Sequence, residues 1–125
     1  MIYIIVAEGY IMEKIKLSNM KKIYGLIPAI IQEVQTQKVL MLGYMNNEAF
    51  IKTKESGYVF FWSRKRNRLW MKGEESGNKL KVKAIFKDCD SDAVLIKAVL
   101  KGNGVCHTGK ESCFYKQILN NKYKL

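Results

Sequence analysis

The sequence predicts a β-dominated α+β domain, with a mixed sheet and one or two short helices. The chain has 125 residues, of which 48% are hydrophobic, as expected for one globular domain with one core. This apolar fraction excludes a mainly disordered chain. Several short runs are rich in β-branched and aromatic residues, which favour strands. One segment carries a full set of helix start and stop signals, so one helix is well defined.

The N-terminal segment has the least clear pattern. Met1–Ile11 fits either an edge strand or an extension ahead of an internal start at Met12. We predict a short lysine-rich helix over Glu13–Ile23. The resulting boundaries are an N-terminal extension over residues 1–11 and a single domain over residues 12–125.

Two strands and the main helix follow. Ile30–Val34 and Val39–Met45 are apolar runs separated by a short polar turn, which predicts paired strands. Asn46 is a favoured N-cap residue, and Gly57 is a favoured residue after a helix end. We therefore predict a helix over Glu48–Glu55.

The second half of the chain is predicted to be mostly strand. Tyr58–Ser63 is β-prone, and Lys79–Lys87 alternates clearly between apolar and basic residues. One face of that strand is predicted to carry Leu80, Val82, Ala84 and Phe86. Ala93–Leu100 is a further apolar strand, and Phe114–Leu125 is a candidate for a short helix.

The net charge of +11 first suggests nucleic-acid binding. However, 19 of the 22 basic residues are lysines scattered along the whole chain, which favours a solvated surface. We therefore expect no nucleic-acid partner. The early apolar run Met1–Ala7 is too short to cross a membrane, and no signal peptide is recognisable. The sequence predicts a cytoplasmic protein with no membrane partner.

The rare residue types are clustered, and three of these clusters indicate chemistry. They are Arg64, Arg66 and Arg68; Asp88, Asp90 and Asp92; and Cys89, Cys106 and Cys113 with the only histidine, His107. An odd number of cysteines without an export signal argues against a disulfide framework. The thiols are then buried apolar groups, nucleophiles or metal ligands.

The acidic cluster predicts a site for a hard cation. Carboxylates at alternating positions, as in Asp88, Asp90 and Asp92, point the same way from an extended chain. Oxygen ligands favour Mg²⁺ or Ca²⁺. A solvated acidic turn without an ion is the alternative. Cys89, between two of the aspartates, is predicted to point to the other face.

The cysteine cluster predicts zinc, held by Cys89, Cys106 and Cys113. One alternative is a closed structural site with His107 as fourth ligand. Adjacent residues of an extended segment face opposite ways, which argues against Cys106 and His107 sharing an ion. Three sulfurs would then leave an open position for an activated water. His107 is the predicted general base beside that water.

The arginine cluster predicts phosphate binding, because guanidinium donors suit phosphate oxygens. The side chains predicted to contact substrate are Arg64, Arg66, Trp70, Lys72, Ser76 and Asn78. The alternative is a basic surface hairpin with Trp70 in the core.

Together these motifs resemble the phosphoribosyl-AMP cyclohydrolase family of histidine biosynthesis. The matching stretches are 25–32, 39–46, 63–68 with Trp70, 72–74, 76–78, 88–92 and 106–115. The resemblance covers roughly residues 12–116. It implies the stand-alone form of the enzyme, since only twelve residues follow Cys113 and leave no room for a fused pyrophosphohydrolase domain.

The resemblance implies a metal-dependent hydrolase that uses zinc-activated water to open the adenine ring of phosphoribosyl-AMP between N1 and C6. It implies Zn²⁺ and Mg²⁺ as cofactors, with Asp88, Asp90 and Asp92 as the magnesium ligands. It also implies an intertwined homodimer, in which Cys89 of one chain joins Cys106 and Cys113 of the other. Two alternatives remain, a non-enzymatic zinc module that binds nucleic acid and a regulatory metal sensor.

Overall fold

The computed structural model describes residues 3–5, 11–13 and 20–121. Within them the chain forms eight strands and one helix. In chain order these are β1 (Tyr3–Ile5), β2 (Ile11–Glu13), β3 (Ile27–Glu33), β4 (Val39–Met45), α1 (Asn47–Ser56), β5 (Phe60–Ser63), β6 (Arg68–Met71), β7 (Lys79–Lys87) and β8 (Val94–Lys101). The predicted β-dominated α+β class is confirmed.

A four-stranded mixed sheet in the order β4-β3-β8-β7 forms the centre of the fold. Strand β3 pairs antiparallel with β4 and parallel with β8, and β7 pairs antiparallel with β8. Two separate antiparallel pairs, β1-β2 and β5-β6, complete the strands of the described residues. The β5-β6 pair is the basic hairpin that the sequence offered as an alternative for the arginine segment.

Helix α1 begins and ends at the predicted signals. The side chain of Asn46 accepts a hydrogen bond from the Ala49 N–H at 2.9 Å. Gly57 has a left-handed φ of 78°, and its N–H donates to the Thr53 carbonyl, as glycine allows at a helix end. Thr53 is buried, and its Oγ1 accepts from the Phe60 N–H at 2.9 Å, which ties the helix to β5. At ten residues, α1 is too short to cross a membrane, and the described residues contain no helix that could.

The core lies between the central sheet, α1 and the β5-β6 hairpin. Its largest fully buried side chains are Phe50, Phe61, Ile27, Ile31, Leu40, Met45, Leu80 and Ile96. The helix, the central sheet and the hairpin all contribute to this set, so one continuous core holds the described domain together.

The prediction that Leu80, Val82, Ala84 and Phe86 share one face of β7 is wrong. A bulge lies between Val82 and Ala84, where the pairing with β8 shifts by one residue. An extra residue reverses the alternation that follows it. Beyond the bulge, Ile85 packs against the core and Phe86 is 50% exposed.

Other predicted elements also differ from the structure. Strand β3 begins at Ile27, three residues before the predicted start. The predicted helix Glu13–Ile23 is wrong at both described ends, since Glu13 is in β2 and residues 20–23 are not helical; residues 14–19 lie outside the described part. Residues 114–121 are not helical either, so the predicted helix Phe114–Leu125 is wrong over its described part. In the N-terminal segment, Tyr3–Ile5 forms a strand. The predicted start of the domain at residue 12 stays a prediction.

Candidate active site

A cleft of about 810 Å³ lies between the β5-β6 hairpin, strand β4 and the loop that follows β8. Its lining includes all six side chains predicted to contact substrate, namely Arg64, Arg66, Trp70, Lys72, Ser76 and Asn78. Three members of the cysteine cluster, Cys106, His107 and Cys113, line the same cleft. Nine residues chosen for their chemistry therefore meet in one place.

The cysteine loop, residues 106–113, begins with a tight turn and is not the extended segment predicted from the sequence. The Gly109 N–H donates to the Cys106 carbonyl at 2.9 Å, and the Cys106 N–H donates to the Lys110 carbonyl at 3.2 Å. Alternation of neighbouring side chains therefore does not separate Cys106 from His107. His107 is exposed at the edge of this turn and faces the cleft.

The far end of the cysteine loop is fixed to strand β4. The Cys113 N–H donates to the Leu40 carbonyl at 2.8 Å. The hydroxyl of Ser112, which is 5% exposed, donates to the Val39 carbonyl at 2.8 Å. These bonds hold the Cys113 thiol against the sheet and inside the cleft.

The two thiols of the cleft differ in electrostatic environment. The Thr108 hydroxyl donates to Cys106 Sγ at 3.0 Å, and this hydrogen bond lowers the pKa of Cys106. Desolvation, followed by the neighbouring Cys106, raises the pKa of Cys113. The ammonium of Lys72 stabilises the thiolate form of both cysteines, and its own pKa is lowered chiefly by burial. Two thiols and a half-buried cation thus form one electrostatic group.

The three arginines have different partners. Arg68 forms an ion pair with Glu74 at 3.4 Å and donates to the Leu69 carbonyl at 3.2 Å. The guanidinium of Arg64 lies over the ring of Tyr44, 4.1 Å from its centroid. Arg66 is exposed on the turn, where its backbone N–H donates to the Ser63 hydroxyl. All three arginines line the cleft, and Arg68 in addition links the hairpin to the next loop.

The loop after β6 depends on Gly73. Its φ is +87°, and a Cβ at this position would lie 2.5 Å from the carbonyl carbon of Asn78. The loop closes because the Gly77 N–H donates to the Gly73 carbonyl at 2.8 Å. Asn78 Oδ1 accepts from the Asn103 N–H at 3.4 Å, and Ser76 Oγ accepts from the Asn78 N–H at 3.2 Å. Ser76 and Asn78 thus stabilise the wall of the cleft that they line.

The three aspartates form a compact group outside the cleft, in the turn between β7 and β8. Asp88, Asp90 and Asp92 each offer an oxygen within 4.8 Å of the others, the one such group of three or more His, Cys, Asp or Glu ligand atoms in the described chain. The Lys21 N–H donates to the Ser91 carbonyl at 2.7 Å and fixes the turn. The hydrogen bond between the carboxyl groups of Asp88 and Asp92 lowers the pKa of Asp88 and raises the pKa of Asp92 to about 6.

Cys89 is separated from the other two cysteines within one chain. It follows β7 and precedes β8, whereas Cys106 follows the opposite end of β8. Eight residues of strand span about 26 Å. One chain therefore brings Cys106 and Cys113 together but leaves Cys89, which is exposed, at the far end of the sheet.

Two contributors to the site were not singled out from the sequence. Thr108 could have been found, because a hydroxyl two residues after a cysteine can reach its sulfur within a turn. Tyr44 gave no local signal, because its contact with Arg64 depends on how the hairpin packs against β4.

The fold and site define a class: a small α+β domain whose cationic, thiol-containing cleft suits a phosphorylated ligand. The family model of phosphoribosyl-AMP cyclohydrolase matches residues 41–115. The chain belongs to the phosphoribosyl-AMP cyclohydrolase family, as the resemblance of its motifs predicted.

Individual relatives agree with this assignment. The chain is 54% identical over 101 residues to phosphoribosyl-AMP cyclohydrolase of Solibacter usitatus, covering 81% of this chain and 80% of that protein. It is 55% identical over 94 residues to the Listeria innocua protein of the same name, covering 75% of this chain and 89% of that one. A histidine biosynthesis bifunctional protein of Bacteroides thetaiotaomicron is 59% identical over 93 residues, covering 74% of this chain and 45% of that protein.

Proposed function

We propose that this protein hydrolyses phosphoribosyl-AMP, opening its adenine ring between N1 and C6 in histidine biosynthesis. The observation that carries the proposal is the single cleft that holds the thiol pair, His107 and the arginine cluster together. A substrate with two phosphate groups needs cations around the reacting ring, and this cleft supplies them. The family membership and the names of the relatives support the same reaction.

Ultraviolet absorbance tests this proposal directly. Ring opening changes the purine chromophore, so the purified protein should change the spectrum of phosphoribosyl-AMP. A nucleic-acid-binding zinc module or a metal sensor would leave the spectrum unchanged, and that result would reject the proposed enzyme.

We propose Zn²⁺ as one cofactor, because the donors present fit it. Cys106 and Cys113 face an open cleft, and the lowered pKa of Cys106 favours the thiolate that zinc binds. The third thiol, Cys89, would come from a second copy, because one chain places it at the other end of β8. Bound zinc would act as a Lewis acid that lowers the pKa of a water molecule toward about 7.

The side chains of the cleft then have separate tasks. Arg64 and Arg66 bind phosphate, and Trp70, which packs at 5.4 Å from Phe61, offers an aromatic wall. His107 takes one proton from the attacking water and returns it to N1 as the N1–C6 bond breaks. The second water proton leaves the C6 hydroxyl for the exocyclic imino nitrogen as the carboxamide forms, so both protons are accounted for.

Replacing His107 with alanine should slow turnover by about 10²–10⁴-fold, the usual contribution of a positioned general base. Zinc content should stay unchanged, because His107 lies outside any three-ligand group with the thiols in the described chain. Metal analysis and turnover of the same preparation check both points. A variant without zinc would make His107 a ligand, and a variant with full rate at every pH would remove its catalytic role.

We propose Mg²⁺ as the second cofactor, held by Asp88, Asp90 and Asp92. Three carboxylates within 4.8 Å repel one another unless a cation or a proton lies among them. The pKa of Asp92 is raised chiefly by its hydrogen bonds with Asp88 and Asp90, and repulsion between the carboxylates adds to the shift.

Mg²⁺ binding should weaken as the pH falls through about 6. The raised pKa means that Asp92 holds a proton below about pH 6, and a metal must displace that proton. The affinity should be about tenfold lower at pH 5 than at pH 8. Calorimetric titration at the two pH values measures this, with Asp92→Asn as the variant that lacks the titration. Equal affinity at both pH values would contradict the proposed ligand set.

We further propose that the enzyme is a cytoplasmic homodimer. Free thiols at all three cysteines suit a reducing compartment. Large apolar side chains near the C-terminus are exposed, with Phe114 at 65%, Ile118 at 100% and Leu119 at 76%. Such exposure favours an interface with another chain.

A further inference from the structure

Among the arginines that line the cleft, Arg64 is the one whose guanidinium contacts an aromatic ring. Its guanidinium carbon lies 4.1 Å from the centroid of the Tyr44 ring, and both side chains line the cleft. Arg68 differs, because Glu74 and a backbone carbonyl bind two of its N–H donors and Glu74 neutralises its charge. Within the described residues, Arg64 forms no ion pair.

This contact leaves Arg64 free to bind an anion. A cation over the π face of a ring is attracted to the ring without giving up N–H donors to an acceptor. The guanidinium keeps its fork of donors, which matches two oxygens of a phosphate. A carboxylate partner would instead neutralise the charge and compete with the ligand.

Both partners are fixed by rigid elements. Tyr44 is in β4, where it pairs with Pro28 of β3. Arg64 directly follows β5, and β5 packs closely on β4 because Gly43 has no side chain. A Cβ on Gly43 would lie 2.5 Å from the Phe61 ring. The close approach therefore brings the start of the hairpin turn over Tyr44.

We propose that Tyr44 is a positioning residue, which holds Arg64 ready to bind a phosphomonoester group of the substrate. The inference rests on the proposed function for the identity of that substrate. Pre-organisation of a long side chain reduces the entropy lost on binding. Tyr44 should therefore act on substrate affinity and leave the chemical step nearly unchanged.

The test compares Tyr44→Leu, which removes the ring, with Tyr44→Phe, which keeps it. Tyr44→Leu should raise KM about three- to tenfold, the range expected of a cation–π contact, with kcat changed less than about twofold. Tyr44→Phe should retain most of the affinity. Tyr58→Leu is the matched control, because it removes a similar contact, with Lys79 at 5.6 Å from the Tyr58 ring, outside the cleft. The KM of the Tyr58→Leu variant should stay at the wild-type value.

A double-mutant cycle shows whether Tyr44 acts through Arg64. In an Arg64→Ala background, Tyr44→Leu should add less than about twofold to KM. Titration calorimetry with AMP and with ribose 5-phosphate, which carry different phosphomonoester ends of the substrate, gives a readout independent of turnover. Tyr44→Leu should weaken binding of one of them, and which one identifies the phosphate that Arg64 holds.

Three results would overturn the inference: an unchanged KM in Tyr44→Leu, additive effects in the cycle, or unchanged binding of both phosphate probes. Failure of the proposed function looks different, because the wild-type protein would then not hydrolyse phosphoribosyl-AMP. In that event the two titrations still decide whether Tyr44 supports phosphate binding.

Discussion

Replacing Cys106 with serine is expected to remove both zinc and activity. Cys106 is the thiol of the cleft whose pKa the Thr108 hydroxyl lowers, so it is the better thiolate donor of the pair. Changing residues that merely support metal ligands costs about 10–100-fold, so losing a ligand should lower turnover by more than about 100-fold. Metal analysis and the absorbance assay on one preparation measure the two losses.

Thr108→Val provides a graded comparison for Cys106→Ser. It removes the hydrogen bond and keeps the sulfur, so zinc should remain bound at neutral pH and be lost at a higher pH than in the wild-type protein as the solution is acidified. Cys106→Ser protein that kept one zinc per chain and full turnover would show that the thiol pair is not a metal site.

Mixing two inactive variants, Cys89→Ser and Cys113→Ser, is expected to restore activity. Strand β8, which is about 26 Å long, lies between Cys89 and Cys106 in one chain, so a site with three thiols needs two chains. A mixed dimer has one site with every cysteine and one that lacks two. Random exchange makes half of the dimers mixed, so activity should recover to about a quarter of the wild-type value.

Subunit exchange must be demonstrated before the mixing result is interpreted. Differently tagged chains that co-purify after a cycle of mild denaturation would provide that control. If exchange were proven and activity still absent, the proposed sharing of thiols between chains would be wrong. Activity in either variant alone would contradict it as well.

The sequence predicted the elements whose signals are local. Helix α1 is an example, because Asn46 and Gly57 act within one turn of the ends that they fix. The β7 bulge is the opposite case. The alternation of Lys79–Lys87 predicted a regular strand, and only the pairing with β8 shows the extra residue that exposes Phe86. A bulge is set by two strands together, so one strand's pattern does not reveal it.

The site divides in the same way. Residue types predicted which side chains would gather, and the structure brings nine of them to one cleft. The contacts between these side chains, and the chain conformation around them, were harder to predict from the sequence. The assumption of an extended chain around His107 was wrong, since Gly109 closes a turn there. The contact of Arg64 with Tyr44 arises from packing between elements far apart in sequence.

The attachment of the cysteine loop to β4 also concerns self-association. Strand β4 is at the edge of the central sheet, where unpaired backbone groups can recruit a strand from another molecule. Ser112 and Cys113 occupy the carbonyls of Val39 and Leu40 at the start of that edge. The segment that carries a proposed zinc ligand therefore also covers the start of this edge, where two carbonyls would otherwise be available to a strand of another molecule.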